Sequence, residues 1–387
     1  GTGTFLNEVI AHVYKSFAGQ EGRWEAYVRE NLLPRLHGFE LMMASYTIAH
    51  LKLGMTLADT GVKGLNQRIG VYLTNTLEEP KDYSNQGTLF GFMDAIAEES
   101  KSASRIKSEY PIMCVIGNPP YSGESMNKDY TDNAVYKVEP GGKEKLKERN
   151  PKWINDDYVK FIRFAESLID KNGEGVMGMI TAHGYIDNPT FRGMRWHLRK
   201  TFDIIYIVDL HGNSNKNETS PDGSKDENVF DIKTGVSIML GVKNGTKEVN
   251  QLAKVLKVDL YGLRDVKFAQ LDKGSIESLE WTNRPSETEM WILEGMGKDE
   301  YKKGFSVAEM FPVNGVGVVT AHDDFVINGD SHILLNRFED FKDTVCVIGL
   351  TATGLIDIKP MPLQTAYPIV GLHTNILDTI LQGKFIH

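Results

Sequence analysis

Over roughly the first 245 residues, apolar and polar positions alternate in blocks that predict short buried strands separated by amphipathic helices. Strand-like apolar runs fall at 37–39, 69–73, 112–116, 175–180, 204–208 and 236–242. Between them, 44–53 reads as a helix with Ile48, Leu51 and Leu53 among its apolar positions. A second helix, 159–169, places Phe161, Phe164, Ala165 and Leu168 on one face, and 192–201 reads as a third. Strands alternating with helices are the signature of a parallel α/β sheet. The stretch 211–227 is rich in Asn, Ser, Gly, Asp and Lys and predicts a mobile loop between the last two strands. A long polar loop at that place is more often a binding feature than a mere connection.

After about Gly245 the rhythm changes. Segments shorten, and Trp281, Trp291, Phe305 and Phe311 come without clear periodicity. A domain boundary is expected near 245–255, dividing the chain into 1–250 and 251–387. Neither an internal repeat nor a low-complexity segment is visible. A phosphate-binding G-x-x-x-x-G-K-[ST] loop is absent, so the chain carries no recognisable ATP motor.

Composition narrows the class. The chain has 387 residues, 41% apolar and 25% charged, as expected of a globular protein with a sizeable core. No apolar run approaches the length of a membrane span, and the amino-terminal residues are not a signal peptide. Cysteine is confined to Cys114 and Cys346, too few for a disulfide framework or a zinc cluster, which points to a reducing, cytoplasmic setting and no metal. The formal net charge of −9 is unusual for a nucleic-acid binder, so DNA contact would need a local basic surface. Two clusters qualify: Lys143, Lys145, Lys147, Arg149 and Lys152, and Arg192, Arg195, Arg199 and Lys200. The plainer reading of either cluster is a solvated face.

The candidate chemistry sits at 111–123, where an apolar strand runs straight into Asn118-Pro119-Pro120-Tyr121. Ligand sites of open α/β sheets lie at the carboxyl ends of strands. Two prolines fix φ and remove backbone donors, leaving a stiff turn with free carbonyl acceptors. An exocyclic amino group is a poor nucleophile because its lone pair is delocalised into the ring. Held by the Asn118 side-chain oxygen and the Pro119 carbonyl, its two hydrogens favour a pyramidal nitrogen whose lone pair points at an electrophilic methyl. Tyr121 supplies a face on which the base can stack. A simple proline-rich turn is the bland alternative.

These residues resemble the catalytic motif of adenine-specific DNA methyltransferases, and other positions follow the family's order. Gly1-Thr2-Gly3-Thr4-Phe5 is similar to the end of the family's glycine-rich loop for S-adenosylmethionine. A nicotinamide fingerprint would require a third glycine where Leu6 stands. Glu40 matches the acid that accepts from the cofactor ribose. Asn75 stands where a polar residue reads the cofactor adenine, although many members use Asp. Phe230, in Asn228-Val229-Phe230-Asp231, matches the residue that packs on the flipped adenine opposite Tyr121; a core phenylalanine at a strand entry is the alternative.

Three runs, LLPRLHGFELMMASYTIAHLKLG, YLTNTLEEP and FRGMRWHLRKTFDIIYIVDLHGN, look like the methyltransferase region of single-chain type ISP restriction-modification enzymes. The resemblance implies a Rossmann-like methyltransferase sheet in 1–250 and the start of a target-recognition domain in 251–387. It also implies S-adenosylmethionine as cofactor, double-stranded DNA as partner, and nuclease and helicase-like domains upstream in a longer chain. Because the family places a strand before the glycine loop, the sheet is expected to lack its usual central strand. Methylation of a protein glutamine or an RNA base, and a non-catalytic DNA-specificity module, remain as alternatives.

Overall fold

The computed structural model describes residues 1–78, 91–121, 123, 125–248 and 250–284, with the side chains of 91–97 left aside. Beyond these it describes a few short pieces, among them 358–361 and 364–368. Trp291, Phe305 and Phe311 lie outside the described residues. Two compact units divide the chain, Gly1–Gly297 and Lys298–His387. The boundary expected near 250 therefore falls inside the first unit.

The first unit opens with α1 (Thr4–Lys15) and a short α2 (Trp24–Tyr27), then a parallel pair of strands, β1 (Gly38–Glu40) and β2 (Val71–Leu73), joined by α3 (Met43–Asp59). Helix α4 (Gly91–Glu109) leads to β3 (Cys114–Gly117). There follow α5 (Asp157–Asn172), β4 (Gly175–Ala182), α6 (Gly184–Asp187), α7 (Arg192–Thr201), β5 (Ile204–Asp209) and β6 (Val236–Lys243). The unit continues with β7 (Lys254–Asp259), α8 (Arg264–Lys273) and β8 (Thr282–Arg284). In the second unit, β9 (Ile358–Met361) and β10 (Gln364–Pro368) pair antiparallel.

Strands β3–β8 form one sheet in the order β3-β4-β6-β5-β7-β8, while β1 and β2 form a sheet of their own. Every predicted strand is present, but the sheet is mixed. Parallel pairing joins β3 to β4 and β5 to β7, whereas β6 runs antiparallel to both β4 and β5. The reason lies in the connections. A parallel neighbour needs a crossover, which α5 supplies between β3 and β4. The 210–235 connection between β5 and β6 contains only a single 3₁₀ turn at Ser214–Lys216, so the chain reverses direction.

Buried residues at helical spacing explain the packing. Helix α5 turns Val159, Ile162, Ala165 and Ile169 inward, one residue round from the expected face, and leaves Phe161, Phe164 and Leu168 half-buried. They join Met177, Met179, Leu198, Phe202, Ile205 and Met239 in the main core. Gly175 permits the tight start of β4: at φ +148° a Cβ there would lie 2.5 Å from the Met113 carbonyl oxygen. A second core around Trp24, Val28, Leu53 and Leu57 belongs to the amino-terminal part. Of the apolar positions expected in α3, Leu53 is buried, whereas Ile48 and Leu51 are exposed. Among the described residues no helix is long and apolar enough to cross a membrane.

Candidate active site

The ends of β1 and β2 come together because the two strands are in register, Glu40 opposite Leu73, and Thr74 N donates to the Glu40 carbonyl at 2.8 Å. Glu40 is only 8% exposed. One of its carboxylate oxygens accepts from Met42 N at 2.6 Å and the other from the amino group of Gly1. Gly3, the cap of α1, takes φ +76°, a left-handed conformation that costs a glycine little. Thr4 begins the helix, Thr2 is half-buried, and Phe5 is exposed beside them. Glycine backbone and a buried carboxylate thus stand at the carboxyl end of β1. A carboxylate acceptor there suits a ligand carrying hydroxyl groups.

Asn75, two residues past β2, is engaged on both sides of its amide. Its Oδ1 accepts from Leu77 N at 3.1 Å and its Nδ2 donates to Asn127 Oδ1 at 2.7 Å. A carbonyl oxygen has a second lone pair, so one acceptor position on Asn75 remains for an amine. Lys107 Nζ donates to the Asn75 carbonyl at 2.7 Å, and burial brings that ammonium down to about 8.

Asn118 stands exposed immediately after β3, Pro119 is buried, Pro120 is exposed, and Tyr121 packs half-buried against the main core. Burial pushes the Tyr121 phenol above its ordinary range, keeping it neutral. The segment beyond is pinned to the amino-terminal end of α5. Gly123 N donates to Asp156 Oδ2 at 3.0 Å. Ser125 Oγ donates to Asp157 Oδ1 at 2.6 Å and Asn127 Nδ2 to the same oxygen at 2.9 Å. Asn127 therefore connects the end of β2 with the exit of the Asn-Pro-Pro-Tyr turn. Asn127, Asp156 and Asp157 were not singled out from the sequence, since no local pattern marks an aspartate that acts on residues some 30 positions away.

Phe230 is half-buried against Val208, Leu210, Val229, Val236 and Leu260, and Tyr121 lies against a different cluster. Asn228 fixes it: Asn228 Oδ1 accepts from Phe230 N at 2.9 Å, while Nδ2 donates to the Gly212 and Thr234 carbonyls. Phe230 lines a hollow of about 670 Å³ together with Asn228, Asp231 and Arg264.

The loop expected to be mobile is instead tied down by a buried polar network at the carboxyl ends of β4, β5 and β7. His183 Nδ1 donates to Asp209 Oδ1 at 3.0 Å, and Asn213 Nδ2 to His183 Nε2 at 3.0 Å. His211 contacts Glu218 at 2.7 Å through Nδ1 and Asp259 at 2.8 Å through Nε2. Burial alone would lower the His211 pKa, but these carboxylates raise it to about 9, so His211 is an imidazolium. Burial alone would raise the Asp209 carboxyl; the His183 hydrogen bond and the charges of His211 and Lys257 hold it well below its usual range. His183, Asp209 and His211 bring their ligand atoms within 4.8 Å of one another. With both His211 nitrogens donating to carboxylates and the Lys257 ammonium 3.4 Å from Asp209, the cluster is held together as an ion-pair network.

The helices and the mixed sheet, with β6 antiparallel between β4 and β5, have a Rossmann-like methyltransferase fold. Residues 35–216 match the Eco57I restriction-modification methylase family. A second match, to the CHASE2 domain, covers 256–387, and its first residues lie within the six-stranded sheet. No curated protein matches the chain.

Three solved structures share the fold. The ATP-dependent type ISP restriction-modification enzyme LlaBIII bound to DNA superposes with a TM-score of 0.61 at 24% identity, over 75% of this chain and 19% of its own. A nuclease-deletion mutant of the type ISP enzyme LlaGI, in complex with a DNA substrate mimic, gives 0.66 at 24% identity over 87% and 28%. A DrdV–DNA complex gives 0.61 at 26% identity over 88% and 33%. The chain thus spans only a fifth to a third of the length of these relatives.

Proposed function

We propose that this chain transfers a methyl group from S-adenosylmethionine to the N6 amino group of adenine within a specific sequence of double-stranded DNA. It would do so as the modification part of a restriction-modification enzyme. The observation that carries the reading is the Asn118–Tyr121 turn, which sets two oxygen acceptors and an aromatic face at the carboxyl end of β3. Asn118 Oδ1 and the Pro119 carbonyl each accept one N6 hydrogen. This orients the lone pair and stabilises positive charge developing on nitrogen. The bound cofactor supplies an electrophilic methyl group on a sulfonium sulfur. On taking that methyl, with the electron pair of the broken carbon–sulfur bond staying on sulfur, N6 would become cationic and strongly acidic, so the proton it releases from between Asn118 and Pro119 would pass to water and no strong base is required.

Gly1, Thr2, Gly3, Thr4 and Phe5 would hold the methionine end of the cofactor, Glu40 its ribose hydroxyls and Asn75 its adenine. Tyr121 and Phe230 would stack on the extruded target base. Base–aromatic stacking of about 1–3 kcal/mol is comparable with the few kcal/mol that unstacking a nucleotide costs. The same reading puts nuclease and helicase-like domains upstream in the whole protein, target recognition in 251–387, and the protein in the cytoplasm.

The test is to incubate the chain with duplex DNA and cofactor labelled in the methyl group, then digest the DNA to nucleosides. Label in N6-methyldeoxyadenosine is expected. Label in another base, in RNA or in protein would overturn the assignment.

A further inference from the structure

We propose that the segment 137–153 is a preformed basic ledge that takes the phosphate backbone of duplex DNA beside the Asn-Pro-Pro-Tyr turn. The proposal rests on the DNA reading above and names the surface through which a chain of net charge −9 would meet a polyanion.

The ledge separates its charges. It carries Lys137, Lys143, Lys145, Lys147, Arg149 and Lys152 against Glu139, Glu144 and Glu148. Two of the three acids are turned onto Arg192 of α7. The Glu139 carboxylate accepts from Arg192 Nε and Nη2, both at 2.7 Å, and Glu148 accepts from Nη1. The hydrogen bond from Arg192 pulls the Glu139 carboxyl down to about 2, so the anion stays committed to that guanidinium. Glu144 pairs with Lys147 at 2.6 Å. Lys143, Lys145 and Arg149 are left exposed and without an ion pair among the described residues. An ordinary solvated face intersperses its acids with its bases; this one directs two of its three acids inward.

The ledge is also held in place. Leu146 N donates to the Lys137 carbonyl at 3.0 Å and Glu139 N to the Glu144 carbonyl at 2.9 Å. The backbone packs so tightly on α7 that a Cβ at Gly193 would lie 2.0 Å from the Val138 carbonyl oxygen. Ordering is therefore not left to the moment of binding.

Its far end reaches the catalytic turn. Trp153 is 44% exposed, with the Lys152 ammonium 4.7 Å above its ring. A Cβ on Gly123, two residues after Tyr121, would sit 3.8 Å from Trp153 Cζ3. The other basic cluster leaves only Lys200 exposed. Arg195 is 1% and Arg199 3% exposed, and Arg192 is occupied by Glu139 and Glu148.

The test measures binding of the full chain to a labelled duplex across salt concentrations. Three chains are compared: the parent, a Lys143→Gln/Lys145→Gln/Arg149→Gln variant, and a charge-matched Lys15→Gln/Lys63→Gln/Lys101→Gln control. At a slope of about 0.9 per phosphate contact, the ledge variant should lose roughly 2.7 from the steepness of log affinity against log salt. The control should keep the parental slope, and so should Lys143→Arg/Lys145→Arg/Arg149→Lys, which preserves charge. Equal slopes for ledge variant and parent, or equal losses in ledge variant and control, would overturn the ledge while leaving the methyltransferase reading intact. A parent chain that binds no duplex at any salt would remove the DNA reading and the ledge with it.

Discussion

Asn75 donates its side-chain amide to Asn127 Oδ1 at 2.7 Å, and Asn127 donates in turn to Asp157 Oδ1 at 2.9 Å. A chain of two hydrogen bonds thus runs from the end of β2, past the exit of the Asn-Pro-Pro-Tyr turn, to the first turn of α5. The candidate cofactor side and the candidate catalytic side are held by one aspartate.

Replacing Asp157 by Ala removes the acceptor of Ser125 and Asn127 and leaves their donors stranded. An unsatisfied buried donor costs about 1–3 kcal/mol, so the urea midpoint should fall. Methyl transfer should slow through kcat, with KM for DNA little changed, because the turn loses its alignment rather than its contacts. An unchanged kcat would show that Asp157 does not position the turn.

Asn118→Ala tests the turn itself. Removing one of two charge-stabilising groups from an active site lowers rates about 10²–10³-fold. Single-turnover transfer should drop by that factor, while calorimetric affinity for the cofactor stays near the parental value. Transfer at the parental rate would assign the chemistry elsewhere.

His211 should make stability depend on pH. Its folded pKa of about 9 lies above the unfolded value of 6.5, so its contribution is complete below about pH 6.5 and disappears as pH rises through 9. Within that window each pH unit costs at most about 1.4 kcal/mol. Thermal melts from pH 6.5 to 9.5 should show the decline, and His211→Gln should flatten it. A parallel decline in the variant would place the titration on another group.

Lys267 and Asp226 form an ion pair at 2.8 Å in which both side chains are 0% exposed. Breaking a buried pair by removing one partner costs about 3–5 kcal/mol, because the remaining charge is left in the interior. Lys267→Met should therefore unfold at distinctly lower denaturant concentration, and adding Asp226→Asn should restore part of the loss. Since Asp226 also accepts from Gly212 N at 2.6 Å and Gly262 N at 2.7 Å, the double change should not restore all of it.

Much of this molecule is written locally. Each strand of the sheet up to β6 is a short run of apolar, often β-branched residues. Helix α7 occupies Arg192–Thr201, the bounds its periodicity indicates. Asn118-Pro119-Pro120-Tyr121 is legible because its chemistry needs only four consecutive residues after a strand. Strand direction is not local. The pattern of Val236–Lys243 would serve a parallel or an antiparallel neighbour, and the connection before it decides. Nor is the pairing of distant ions. Asp209 and Asp259 share His211 and Lys257 because β5 and β7 run parallel in a register that sets Asp209 opposite Asp259, 50 positions apart along the chain. The two basic clusters look alike as sequence, yet α7 buries Arg195 and Arg199 while the fold leaves Lys143, Lys145 and Arg149 in solvent. Propensity and motif are properties of neighbours along the chain. Direction, register and the side from which a charge meets water arise only when remote segments share one core.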